Sequence, residues 1–109
     1  GVSAKYRKLI EVSIHNALGL LYGQWSEFPK SVRQLEAALA LAREAGGPDH
    51  NLTLFSAMNL GSLYDTLGQR DQAEPLLVEA VQGFTRTRAT AGDNAVRDAK
   101  LNLAVHRIR

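Results

Sequence analysis

The cluster Leu18-Gly19-x-x-Tyr22 returns forty-two residues later as Leu60-Gly61-x-x-Tyr64. The same displacement carries Leu35 onto Leu77 and Ala38 onto Ala80. A displacement of 43 carries Asn59-Leu60-Gly61 onto Asn102-Leu103-Ala104. Each copy places apolar residues at helical spacing but lacks the opposing surface needed to bury them alone. Such units must stack, and a fixed recurrence in this range is the mark of a solenoid.

Apolar spacing predicts five helices, over about 4–22, 30–45, 52–67, 72–87 and 94–109, and no strand. The breaks carry their own chemistry. Residues 23–29 interrupt the first stripe, and Pro29 suits the first turn of the next helix. Gly46-Gly47-Pro48 ends the second helix, and Gly68 closes the third. Asp71 is the expected N-cap of the fourth, with Glu74 completing a capping box. Residues 87–93 are small and polar and read as a loop. The chain is thus one all-α domain over 1–109: repeat 1 at about 4–46, repeat 2 at about 51–88, and a half repeat at about 94–109. Small residues at Gly19, Gly61 and Ala104, with Ala38, Ala73 and Ala80 from the second helices, allow close approach within each hairpin. Trp25, beside Phe28, is expected to plug the end of the first hairpin. The turn around residues 25–29 looks irregular beside its counterpart.

Composition excludes several function classes. Apolar residues make up 45% and charged residues 22%, the balance of a globular protein. No apolar run approaches the roughly 20 residues that span a bilayer, so no membrane role is expected. The formal charge of +2 is too small for the dense basic surface of a nucleic-acid binder, and the arginines near the end read as solvated helix faces. The absence of cysteine rules out disulfides and thiolate metal sites and fits a reducing, cytoplasmic setting. His15, His50 and His106 are far apart, without a second ligand at i+3 or i+4, so no metal is expected. No strained nucleophile turn and no phosphate-binding glycine loop is present, so no catalytic residue, cofactor or small-molecule substrate is assigned. The chain begins with Gly1, and a fragment of a longer protein is expected.

Leu60-Gly61-x-x-Tyr64, Gly68, Ala73, Leu77 and Ala80 resemble the tetratricopeptide-repeat signature at its internal spacings. Ala57 stands where the family has an aromatic, Thr85 where it has a closing proline, and the period is longer than the usual 34 residues. With Asn59-Leu60-Gly61, Ala73-Glu74-Pro75-Leu76-Leu77 and the Gly47–His50 turn, the chain is similar to the kinesin-light-chain-like form of the repeat, with a period of about 42. The resemblance implies a right-handed α-solenoid whose first helices line a concave groove for a peptide or partner helix. It implies that Asn59 and Asn102 grip a peptide backbone, with Asn16 as a weaker equivalent one position early. An amide both donates and accepts, so it can read a backbone with little demand on side chains. The alternative for each asparagine is to satisfy a neighbouring helix or water. Leu20, Phe55, Met58, Ser62, Asp65, Val105 and Arg109 would share the groove. Phe55 and Met58 are its apolar contacts, or else core. The carboxylate clamp of some tetratricopeptide domains is rejected, since Asp98 would repel a terminal carboxylate.

These residues lead to a protein-interaction module or scaffold binding a protein or peptide partner. The other reading is a regulatory helical-repeat domain of a larger signalling ATPase or transcription regulator, making contacts within its own chain. The last helix has an apolar face with no second helix to cover it, which points to self-association or a neighbouring repeat.

Overall fold

The computed structural model describes residues 3–108. Five long helices form: α1 (Ala4–Gln24), α2 (Phe28–Gly46), α3 (Asn51–Thr66), α4 (Arg70–Arg86) and α6 (Asp93–Ile108). The connection expected as a loop contains one further helical turn, α5 (Arg88–Ala91). Thr87 accepts the Thr90 and Ala91 N–H groups there, and Gly92 at φ 89° ends the turn. No strand occurs among the described residues. α1 packs along α2, α2 along α3, α3 along α4 and α4 along α6, in a body of 47 × 33 × 20 Å.

The two intra-hairpin turns are alike, which corrects the expectation that the first is irregular. Trp25 and Leu67 hold φ, ψ of −89°, 6° and −85°, 1°. Ser26 and Gly68 follow with φ of 59° and 77°. Glu27 and Gln69 then cap the next helix at −86°, 66° and −90°, 66°. Their N–H groups donate to Tyr22 at 2.9 Å and Tyr64 at 2.8 Å. This turn starts α4 at Arg70, so Gln69 is the N-cap and makes no side-chain cap bond, not Asp71 as expected. Glu74 turns instead toward α6. α3 is capped by His50, whose Nδ1 accepts the Leu52 N–H at 3.1 Å.

Close approach occurs where the small residues place it in the two complete hairpins. A Cβ at Gly19 would stand 2.5 Å from Leu35 Cδ2, and one at Gly61 2.9 Å from Leu77 Cδ2, both too close. Ala104, on α6, is exposed. The core runs as successive interfaces. Val12 meets Ala38 and Ala42; Leu35 and Leu39 meet Leu60, Leu63, Tyr64 and Leu77; Leu54 and Met58 meet Phe84, Val96 and Ala99. Tyr64 donates its hydroxyl to Glu36 at 3.4 Å. Burial, with the Glu36 charge beside it, holds that phenol above its ordinary pKa. Trp25 does not plug the hairpin. It is 62% exposed and meets Tyr22 edge-on, whereas Leu67, at the matching place in the second turn, packs on the core.

Candidate partner-binding groove

The first turn of α2 tucks Phe28 between the ends of α1 and α3, leaving an open groove of about 420 Å³. Leu20 and Gln24 of α1 line it with Asn59, Ser62 and Thr66 of α3, over the buried Leu35 and Leu63. Gly19 and Gly23 also face it, so no side chain from α1 fills it there. Its walls are fixed locally. Ser31 donates to the Gly19 carbonyl at 2.6 Å, tying α2 to α1, and Thr66 donates to the Ser62 carbonyl at 3.1 Å. Among the described residues no charged side chain lines the groove. An apolar floor under two amides and two hydroxyls can hold an apolar side chain while bonding to a backbone in either sense.

Of the residues singled out in the sequence, Leu20, Asn59 and Ser62 come together here. The others lie elsewhere. Asn16 is buried between α1 and α3, where its Nδ2 donates to Ser56 Oγ at 2.9 Å and its Oδ1 is left without a partner. Met58 is core, and Phe55 stacks edge-on against the buried Phe84 at 4.9 Å. These two take the core alternative because α4 and α6 close over that side of α3. Asn102 is half-buried and Val105 exposed on α6, away from this groove. Arg109 lies outside the described residues.

Asp65 is engaged in a polar clamp. It pairs with Nδ1 of the buried His106, whose Nε2 is 2.8 Å from Glu74 Oε1. Arg107 reaches the other Glu74 oxygen at 3.0 Å, and Arg70 donates to the His106 carbonyl at 2.6 Å. Arg107 above all, with His106, holds the Glu74 carboxyl below its usual pKa. No local pattern in the sequence points to this clamp, because its bonded pairs are 32 to 41 positions apart in chain order. Phe28 was read only as a neighbour of Trp25. Its place beside Pro29, at a helix start, was the available signal. Among the described residues no group of His, Asp and Glu side chains could hold a metal ion, and no helix is long and apolar enough to cross a membrane.

No curated protein matches the chain. The family model described as tetratricopeptide repeat matches residues 10–86. That span takes in most of α1 and all of α2, α3 and α4, both complete hairpins with their matched turns. With helix pairs stacked through small-residue contacts and a family match over most of its length, the chain belongs to the tetratricopeptide-repeat family.

Proposed function

We propose that the groove between α1 and α3 holds an extended segment of a partner protein, with Asn59 bonding its backbone and Leu20 and Phe28 flanking an apolar side chain. The observation that carries this reading is the meeting of Leu20, Gln24, Asn59, Ser62 and Thr66 over a floor of Leu35 and Leu63. Tetratricopeptide repeats are in general protein-interaction modules, which supports a protein partner. A preformed groove also saves the ordering cost that a mobile site would add to binding. The kinesin-light-chain-like form of the repeat belongs to this reading. Gly19 against Leu35, and Gly61 against Leu77, repeat one contact at a spacing of 42, as do Ser26 and Gly68 in their turns.

The test begins with peptides selected from a random displayed library on the wild-type chain. The selected peptides are then titrated calorimetrically into wild type, Asn59→Ala and Leu20→Asp. Loss of the Asn59 bond is expected to weaken binding by roughly tenfold, about 1.4 kcal/mol, and Leu20→Asp more, with helicity unchanged. Peptides that bind both variants as they bind wild type would remove the groove as the site.

A further inference from the structure

In both complete hairpins the second helix covers one side of the first. Val12 and Gly19 of α1 meet Ala38, Ala42 and Leu35 of α2, and His15 bonds Gln34 of α2 at 2.7 Å. On α3 the matching places are Leu54, Ala57 and Gly61, of which Leu54 and Gly61 meet Gly83 and Leu77 of α4. A displacement of 43 carries these three onto Arg97, Lys100 and Ala104 of α6. Burial confirms that register, since it sets Val96 and Ala99 on Thr53 and Ser56, and all four are buried. Arg97, Lys100 and Ala104 are exposed. α6 therefore carries two cations on the side where α1 and α3 carry residues that a helix covers.

We propose that this side of α6 docks an amphipathic helix of a partner protein, with two carboxylates set against Arg97 and Lys100. The neighbouring charges leave those two cations available. Arg88 pairs with Asp93 at 3.4 Å, and Arg107 with Glu74 at 3.0 Å. Among the described residues Arg97 bonds the neutral Asn94, and Lys100 has no ion pair. Asp98 stands about 100° round the helix from Arg97. Both cations border a cavity of about 500 Å³ with Arg88, Asp93 and Val96, so a carboxylate has room between them. Steps of three or four residues join Arg97, Lys100, Leu101, Ala104 and Ile108 into one exposed stripe. It is cationic at its start and apolar at its end. Ala104 stands where Gly19 and Gly61 admit leucines, and its single methyl lets a helix come almost as close. The fitting occupant is acidic at one end and aliphatic at the other.

Other occupants fit less well. The buried residues of α2 and α4, which cover the matching sides of α1 and α3, include no carboxylate. A helix of that kind would bury Arg97 and Lys100 unpaired, which is strongly disfavoured. In a second copy the carboxylates outside ion pairs among the described residues are Glu11, Glu36, Asp71 and Asp98. These are 25 or more positions apart in chain order and cannot meet two neighbouring cations from one helix. Nucleic acid would be drawn to the same cations, but the stripe ends on Leu101 and Ile108, and the formal charge of the whole chain is only +2.

The probe is a synthetic peptide of the α4 sequence, Arg70–Arg86, because α4 covers the matching side of α3. In that register its Leu77 falls on Ala104. Ala80→Glu and Gly83→Glu, written into the peptide, set carboxylates near Lys100 and Arg97. Calorimetric titration into the wild-type chain is expected to show binding that weakens with salt, whereas the peptide with Ala80→Lys and Gly83→Lys should not bind. Arg97→Glu with Lys100→Glu in the chain should weaken the glutamate peptide by roughly tenfold and admit the lysine peptide. Both sites are exposed, so helicity is kept. Ala104→Trp, which leaves the charge unchanged, should also block docking, and Leu20→Asp in the groove should not. No binding of the glutamate peptide up to about 1 mM overturns the proposal. So does equal binding to the charge-reversed chain, or loss in Leu20→Asp without loss in Ala104→Trp, which moves the peptide to the groove. A single-stranded oligothymidylate that binds the wild-type chain more tightly than the glutamate peptide, and not the charge-reversed one, overturns it in favour of nucleic acid.

Discussion

Ser26 adopts the left-handed backbone that Gly68 adopts in the matching turn, with φ of 59° and 77°. A side chain in that region crowds its own backbone and costs about 1 kcal/mol, a cost glycine escapes. Ser26→Gly is therefore expected to stabilise the chain by a few tenths of a kcal/mol, about 0.6 at most, after allowing for the greater freedom of glycine in the unfolded state, and to raise the thermal midpoint by a few degrees at most. A lowered midpoint would mean that the hydroxyl makes a contact worth more than the strain. The asparagines show where single residues stop being legible in a sequence. Asn16 and Asn59 carry the same amide and stand one position out of register with each other. One position turns a helical side chain by about 100°. That offset takes Asn16 out of the groove and into the contact with Ser56, while Asn59 stays on the wall. The spacing of Gly19 and Gly61, by contrast, was legible because close packing tolerates nothing else at those points.

α6 is the element whose attachment is most polar. Its first half buries Ala95, Val96 and Ala99, but its last turn is held by His106 between Asp65 and Glu74. Carboxylates only accept, so His106 satisfies both when its two ring nitrogens each carry a proton. Replacing it strands a buried Asp65, and His106→Ala is expected to cost about 3 kcal/mol. Loss of hydrogen-exchange protection in the last two turns of α6, ahead of the other helices, would show it. The clamp also depends on pH. The folded state lowers the pKa of Glu74, chiefly through the Arg107 bond. Its contribution is therefore present above the ordinary carboxylate range and disappears as pH falls through the lowered value. Hydrogen-exchange protection of α6 should thus fall as the pH is lowered through that value, and Glu74→Gln should flatten the fall. At this scale the five long helices were readable because apolar periodicity and glycine stops agree. The start of α4 was not, because the turn geometry set by Gly68 and Gln69 outweighed the cap chemistry of Asp71.

The described helices form a stack in which α2, α3 and α4 have neighbours on both sides, while α1 and α6 flank them. Stability in such an array is a sum of units and interfaces. Amide exchange is expected to be slowest in α3, which buries residues on the most sides, and faster in α1 and α6. Uniform protection from end to end would indicate a single cooperative unit instead. Leu35 and Leu63 belong at once to the central core and to the floor of the groove. A partner seated there would rest on the residues that hold the hairpins together, so its binding would register directly as added stability. Heritable variation is constrained in the same way. On the proposed reading, changes in the floor are answerable to folding before they can alter recognition, which would leave Leu20, Gln24, Asn59, Ser62 and Thr66 as the positions where related sequences could diverge in what they bind.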